Sequence, residues 1–308
     1  MDEKFKSKSL KNFGIEVEIP ESYDFLETES LNYIEESLNN YPKAKKMFNL
    51  LINDPEVRAD WDLSNFIAVK KLRYNDHGEV HAKIVCASAL KMLDILLEKG
   101  VKPDFIEEGG GDEDDEHLIV MTGALLHDIG NQIYREDHPL HSTYLAIPIL
   151  NRLLPNFYSD IENRTEVRGF ILNSIYAHDA DIPDFIIEAA LIGIGDATDM
   201  TKGRGRKAYD LGSLSIHTIS ALSIERVLIL KGEGEEKAIE IVIEMSNSSG
   251  IFQVQEILGK KIIGGPLEDL ISLKATVTPS DVDYDKRIVR SITLKGRNFV
   301  SYWSLILK

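Results

Sequence analysis

The stretch LLHDIG, residues 125–130, decides how this chain is read. Leu118, Thr122, Leu125 and Ile129 recur at helical spacing, so the motif is the end of a helix that starts near His117, and Gly130 stops it. Successive residues project about 100° apart around a helix, so His127 and Asp128 can serve one point only near that end. Neutral imidazole and carboxylate are ligands for borderline divalent ions such as Mn, Fe, Co, Ni or Zn.

Working outward, the neighbouring segments repeat the theme. Upstream, Val85, Ala89, Met92 and Leu96 mark a long helix over 79–99 with His81 in its first turn and Gly100 as its C-cap. Between the two helices, EEGGGDEDDE at 107–116 reads as a solvated acidic loop at a helix N-terminus. Downstream, helices are expected over 141–154, kinked at Pro148, over 165–177, and from Pro183 to about Met200. His77, His81, His127, His138, His141 and His178, six of the eight histidines, fall inside this block. His178 continues the stripe Val167, Ile171, Ser174, and Asp196 falls on the stripe Phe185, Ala189, Ile192. A carboxylate on a buried face is costly unless it is paired or bound to metal. Helices that project such residues inward are how bundles build dinuclear metal sites.

Residues 1–60, with breakers at Pro20, Pro42 and Pro55, read as an N-terminal helical extension to the helical domain at 61–221. From 222 the period changes. Strands are expected at 224–230, at 239–245 (IEIVIEM), at 271–278 and at 287–294, with a helix at IFQVQEILGKKI. The fold class is therefore α+β: an all-helical core followed by a small C-terminal α+β domain, 222–308, with an antiparallel sheet. This tail shows no chemistry of its own, and its expected role is oligomerisation, substrate gating or regulation.

Composition narrows the function classes. The 308 residues hold 35 Lys+Arg against 51 Asp+Glu, a formal charge of −16, with 43% hydrophobic and 28% charged residues. That balance belongs to a globular chain. The acidic excess argues against general nucleic-acid binding, which needs cationic surface. No apolar run approaches the ~18 residues of a membrane span, and the N-terminus has no apolar core of a secretory signal. The single cysteine, Cys86, excludes an internal disulfide framework and Cys-rich zinc sites. A cytoplasmic protein is expected.

His81, LLHDIG at 125–130, HPLHS at 138–142, AHD at 177–179 and GDATD at 195–199, taken in order, resemble the HD-domain superfamily of metal-dependent phosphohydrolases over about residues 70–210. TKGRGR at 201–206 and the strand-rich tail are most similar to uncharacterised archaeal HD-domain proteins. The resemblance implies one or two divalent ions per chain: a first held by His81, His127, Asp128 and Asp196, and, as in members with extra histidines, a second held by His138 and His178 with Asp128 bridging. His77 and His141 stay open as further ligands. The implied activity is hydrolysis of a phosphate ester, a monoester or a diester, of a nucleotide or related small molecule. Asp128 would orient the attacking hydroxide, Asp179 or His141 would act as general acid, and Lys202, Arg204, Arg206 and Arg135 would hold phosphate. Asn131 stands where many phosphodiesterases of the superfamily carry Lys, and Ala177-His178 replaces a double histidine, which argues against cyclic-dinucleotide cleavage. Two rivals differ in class: a di-iron oxygenase on the same fold, separable by oxygen dependence, and a non-catalytic nucleotide-sensing module. A homo-oligomer formed through the C-terminal domain is a further expectation.

Overall fold

The computed structural model describes residues 5–10, 15–205, 215–233, 237–278 and 291–301. The chain opens with an antiparallel hairpin, β1 (Phe5–Leu10) and β2 (Ile15–Pro20), with Phe5 opposite Pro20. The helical reading of 1–60 is corrected here and holds only from Glu21. Ile15, Val17 and Ile19 alternate with Glu16 and Glu18, a strand period that the charge of this segment conceals.

Helices then follow in series: α1 (Glu21–Ser37), α2 (Pro42–Asn53), α3 (Pro55–Asn65), α4 (Glu79–Glu98), the single turn α5 (Asp104–Glu107), α6 (Glu113–Leu126), α7 (His138–Leu153), α8 (Ile161–Tyr176) and α9 (Ile187–Thr198). Local chemistry sets their starts. Pro42 and Pro55 open α2 and α3 at positions where a missing N–H does no harm. Asp54 and Asp160 each accept hydrogen bonds from two backbone N–H groups of the helix that follows. The acidic loop is more than a solvated stretch: Asp112 and Asp115 form a reciprocal capping box for α6, and Lys43 of α2 pairs with both. Pro183 lies ahead of α9 rather than in its first turn, and Asp104 supplies a carboxylate to the Ile187 N–H from across the core.

The helix α10 (Ile216–Ala221) leads into a mixed sheet of described strands ordered β3 (Ile224–Lys231), β4 (Ile239–Met245), β5 (Ile271–Val277), β6 (Ser291–Lys295) and β7 (Asn298–Ser301). The expected antiparallel sheet is amended at one pairing: β4 and β5 run parallel, Ile239 beside Ile271 and Met245 beside Val277. Parallel neighbours cannot be joined by a hairpin, so the chain must return along the sheet through a long crossover. That crossover carries the helical turns Gln253–Leu258 and α11 (Gly259–Ile262). It packs on α9, which places a piece of the C-terminal unit over the helical core. One continuous apolar core includes Leu90, Leu118 and Ile192 of the helices together with Ile241, Ile243 and Leu273 of the sheet. Among the described residues no helix is long and apolar enough to cross a membrane.

Candidate metal centre

Five helices converge on the site around Asp128. Asp128 follows α6, whose last turn presents His127, in a backbone conformation outside the helix (φ −108°, ψ 1°). Gly130 allows α7 to arrive: a Cβ there would lie 2.2 Å from the His138 carbonyl oxygen and 2.4 Å from the Ser142 nitrogen. The Gly130 N–H is held by Ser142 Oγ at 2.8 Å, which sets His138 beside the motif. Gly193 does the same for α9, since a Cβ there would lie 2.9 Å from the His178 carbonyl oxygen.

The two oxygens of Asp128 face two sets of imidazoles. Oδ2 lies 3.4 Å from His81 Nε2 and 3.6 Å from His127 Nε2. Oδ1 lies 3.3 Å from His138 Nε2 and 3.9 Å from His178 Nε2. Asp196 Oδ1 joins the first set, 3.1 Å from His81 Nε2, and His81 and His127 bring their Nε2 atoms within 3.2 Å of each other. Ligands about 2.0–2.2 Å from a common ion stand about 3.0–3.6 Å apart, the spacing of the first set. His81, His127 and Asp128, and again Asp128, His138 and His178, therefore form two buried groups able to hold a metal ion, with one carboxylate common to both.

The ring orientations fit metal. His127 Nδ1–H donates to the Ala124 carbonyl at 2.7 Å, His178 Nδ1–H to Ile175 at 2.6 Å, and His138 Nδ1–H to Arg135 at 3.1 Å. A carbonyl can only accept, so each of these Nε2 atoms is left with a lone pair aimed at Asp128. His81 Nδ1–H donates to Asp199 Oδ2 at 2.7 Å, an oxygen that also accepts from Tyr23 of α1 at 2.8 Å. Carboxylate behind imidazole is the arrangement that fixes tautomer and raises ligand basicity.

The electrostatics make the same demand for positive charge. Burial pushes the His127 and His178 imidazoles below their ordinary range. For His81, burial and the adjacent Arg204 act downward, yet Asp128, Asp196 and Asp199 outweigh them and lift it to about 10. Asp128 and Asp196 are held well below the carboxylate range although burial acts upward; His127 and His77 are the largest opposing influences on Asp128, and Lys261 on Asp196.

The remaining predicted residues divide. Arg135 donates to Asn131 at 3.0 Å, and Asn131 in turn donates to Asp128 Oδ1 at 2.8 Å, so the Asn of this motif orients the shared carboxylate. Asp179 lies 3.9 Å from His138 Nε2 on the cavity wall. Arg204 is buried against the centre, 3.2 Å from His81 Nε2. Lys202 turns away to Glu225 at 2.5 Å. His141 turns to the Tyr134 carbonyl at 3.3 Å and is not brought to the cluster, while His77 is buried and lines the cavity. Arg206 lies outside the described residues. His117 is buried, stacked on Tyr41 and paired with Asp94.

Sequence reasoning missed Asp199, Asp76 and Lys261. Asp199 was within reach, three residues beyond Asp196 in GDATD. Asp76 Oδ2 accepts the His81 backbone N–H at 3.0 Å. Lys261, from α11 of the C-terminal unit, reaches Asp196 Oδ2 at 2.6 Å, and no local pattern announced it. A cavity of about 490 Å³ opens over the centre, walled by Arg73, Asp128, Arg135, Asp179, Asp196 and Arg204 and bordered by His217 of α10 and by Gln253 and Ile257 of the crossover.

Fold and site together define a helical protein with a small α+β unit and a buried histidine–aspartate cluster able to bind metal. Over 265 residues, 84% of this chain and 97% of the other, it is 42% identical to the uncharacterized protein MJ1020 of the archaeon Methanocaldococcus jannaschii. The chain belongs to the family of that protein. No family model matches the chain, and no solved structure matches it.

Proposed function

We propose that the chain is an HD-type, metal-dependent phosphohydrolase acting on a small phosphate ester, a nucleotide or a molecule of similar size. The observation that carries this reading is the Asp128 carboxylate, one oxygen toward His81 and His127, the other toward His138 and His178. His81, His127, Asp128 and Asp196 would hold one ion, and Asp128, His138 and His178 a second. Divalent ions in such a site acidify water near neutral pH and neutralise phosphoryl oxygens.

The chain's own residues supply the rest. Asn131 keeps Asp128 in its shared orientation and is itself held by Arg135. Arg135 and Arg73, both on the cavity wall, are assigned to the charge of a phosphate, as phosphoryl transfer requires. Asp179, beside His138, is assigned to hand a proton to the leaving oxygen as its bond to phosphorus breaks. His141 has no place in this scheme. The cavity volume falls in the range of small-molecule sites, which supports a compact substrate.

The test is elemental analysis and phosphate release on protein reloaded with Mn(II). The reading expects about two ions per chain and turnover of some phosphomonoester or phosphodiester, with Asp128→Ala losing both. Oxygen uptake without phosphate release would give the site to the oxygenase class instead. Tight nucleotide binding with no product would give it to a sensing role.

A further inference from the structure

We propose that Lys261 is a positioning residue of the metal centre, delivered by the crossover between β4 and β5, and that the C-terminal unit thereby completes the site. The inference rests on the metal-site reading above, and it assigns a role to the part of the chain in which the sequence shows no chemistry.

Three observations carry it. First, Asp196 divides its carboxylate: Oδ1 stands 3.1 Å from His81 Nε2, on the ligand side, while Oδ2 is held by Lys261 Nζ at 2.6 Å. A carboxylate fixed through one oxygen offers the other in a single direction, which is how an outlying partner orients a ligand. Secondly, the Lys261 side chain is only 8% exposed, so its ammonium is committed to the interior rather than resting on the surface. A buried ammonium requires a partner, and among the described residues Asp196 is its ion-pair partner. Thirdly, Gln253, Ile257 and Lys261 all lie on the crossover. The first two line the cavity and the third reaches Asp196, so the crossover roofs the centre.

Two physical roles for the ammonium predict opposite signs. If Lys261 orients Asp196, removing it lets the carboxylate swing or turn both oxygens elsewhere, and metal binds more weakly. If it acts only as a nearby positive charge, removing it relieves repulsion and metal binds more tightly. The 2.6 Å contact, made to the oxygen facing away from His81, favours orientation.

The experiment is Mn(II) binding to the full-length apo protein, read by the electron paramagnetic resonance of free ion, for wild type, K261M and K261R. Melting curves would establish that each variant is folded at the titration temperature. The expected result is Mn(II) affinity lowered about ten- to a hundredfold in K261M and largely restored in K261R, whose guanidinium can still hold Asp196. Wild-type or tighter affinity in K261M overturns the role of Lys261 while leaving the metal centre in place. Equal weakening in K261M and K261R also overturns it, since a retained charge and donor should rescue. A wild-type protein that binds no Mn(II) removes the metal reading itself, and this inference with it.

Discussion

Arg204 donates from Nε and Nη2 to the Asp76 carbonyl at 3.1 and 2.9 Å and from Nη1 to the Asp199 carbonyl at 2.8 Å, with Asp199 Oδ2 3.5 Å from Nε. In sequence it is a cation on a glycine-rich segment, and its reading as a phosphate contact follows from its neighbours alone. Its partners on the other side lie 128 residues upstream, which no local pattern displays. Arg204→Ala should therefore act first on stability. Truncating a buried, paired charge costs about 3–5 kcal/mol, so the urea midpoint should fall well below wild type; an unchanged midpoint would show that the fold does not depend on these hydrogen bonds. Asp199→Asn tests the other half of this network. It removes the charged acceptor behind His81, and Mn(II) affinity should drop about ten- to a hundredfold while the fold persists. Equal affinity would mean that the tautomer of His81 is set without Asp199. His81, His127, Asp128 and Asp196 were legible because each sits in a short motif in a helix or at a helix end. Asp76, Arg204 and Lys261 were not, because their roles come from contacts between elements.

At the level of elements, helices announce themselves by period and their meeting points do not. The stripes of α4 and α6 were readable, yet the approach of α7 depends on one missing Cβ at Gly130. Gly130→Ala should force α7 away from the motif, lowering stability by about 1–3 kcal/mol and reducing bound metal toward one ion per chain as His138 leaves Asp128. A variant with full metal content and wild-type melting would show that the contact yields without loss. The crossover was readable as a helix between two strands; the antiparallel expectation arose from carrying the β3–β4 hairpin pattern one strand too far. Another junction is invisible in sequence. Glu116 in the first turn of α6 and Glu188 in the first turn of α9 turn their carboxyls toward each other, and Glu116 is fully buried. Burial, then the neighbouring Glu188, pushes the Glu116 carboxyl well above its ordinary 4.5, and burial also raises Glu188. The folded state thus keeps a proton that the unfolded chain releases near 4.5, so this pair costs stability progressively as pH rises from there through the raised folded value. Glu116→Gln removes that linkage. Its melting temperature should gain on wild type progressively as pH rises above the ordinary glutamate value of 4.5, and parallel curves for the two proteins would mean that the pair shares no proton.

On the scale of the whole molecule, the helical core and the sheet are joined by apolar packing as well as by the crossover. Ile239, Ile241 and Ile243 of β4 belong to the same continuous core as Leu93 and Leu96 of α4. Polar ties close the seam: Lys99 Nζ donates to the Gly232 carbonyl at 3.0 Å, and Lys231 pairs with Glu98 at 2.8 Å. A core of that continuity should melt as one cooperative unit, with the calorimetric and van't Hoff enthalpies equal. Metal binding sharpens the test, because ligands that favour the folded state add RT ln(1 + [L]/Kd), about 2.7 kcal/mol at a hundredfold excess. For a chain of this size that corresponds to a rise of about 4 °C, and the whole transition should move together because Asp196 is held by α9 on one side and by Lys261 of the crossover on the other. Calorimetry of apo and Mn(II)-loaded protein reads this directly. Two resolved transitions, only one of them shifted by metal, would show that the sheet unit sits on the helical core without sharing its stability, and Lys261 would then be a contact between neighbours rather than part of one folded site.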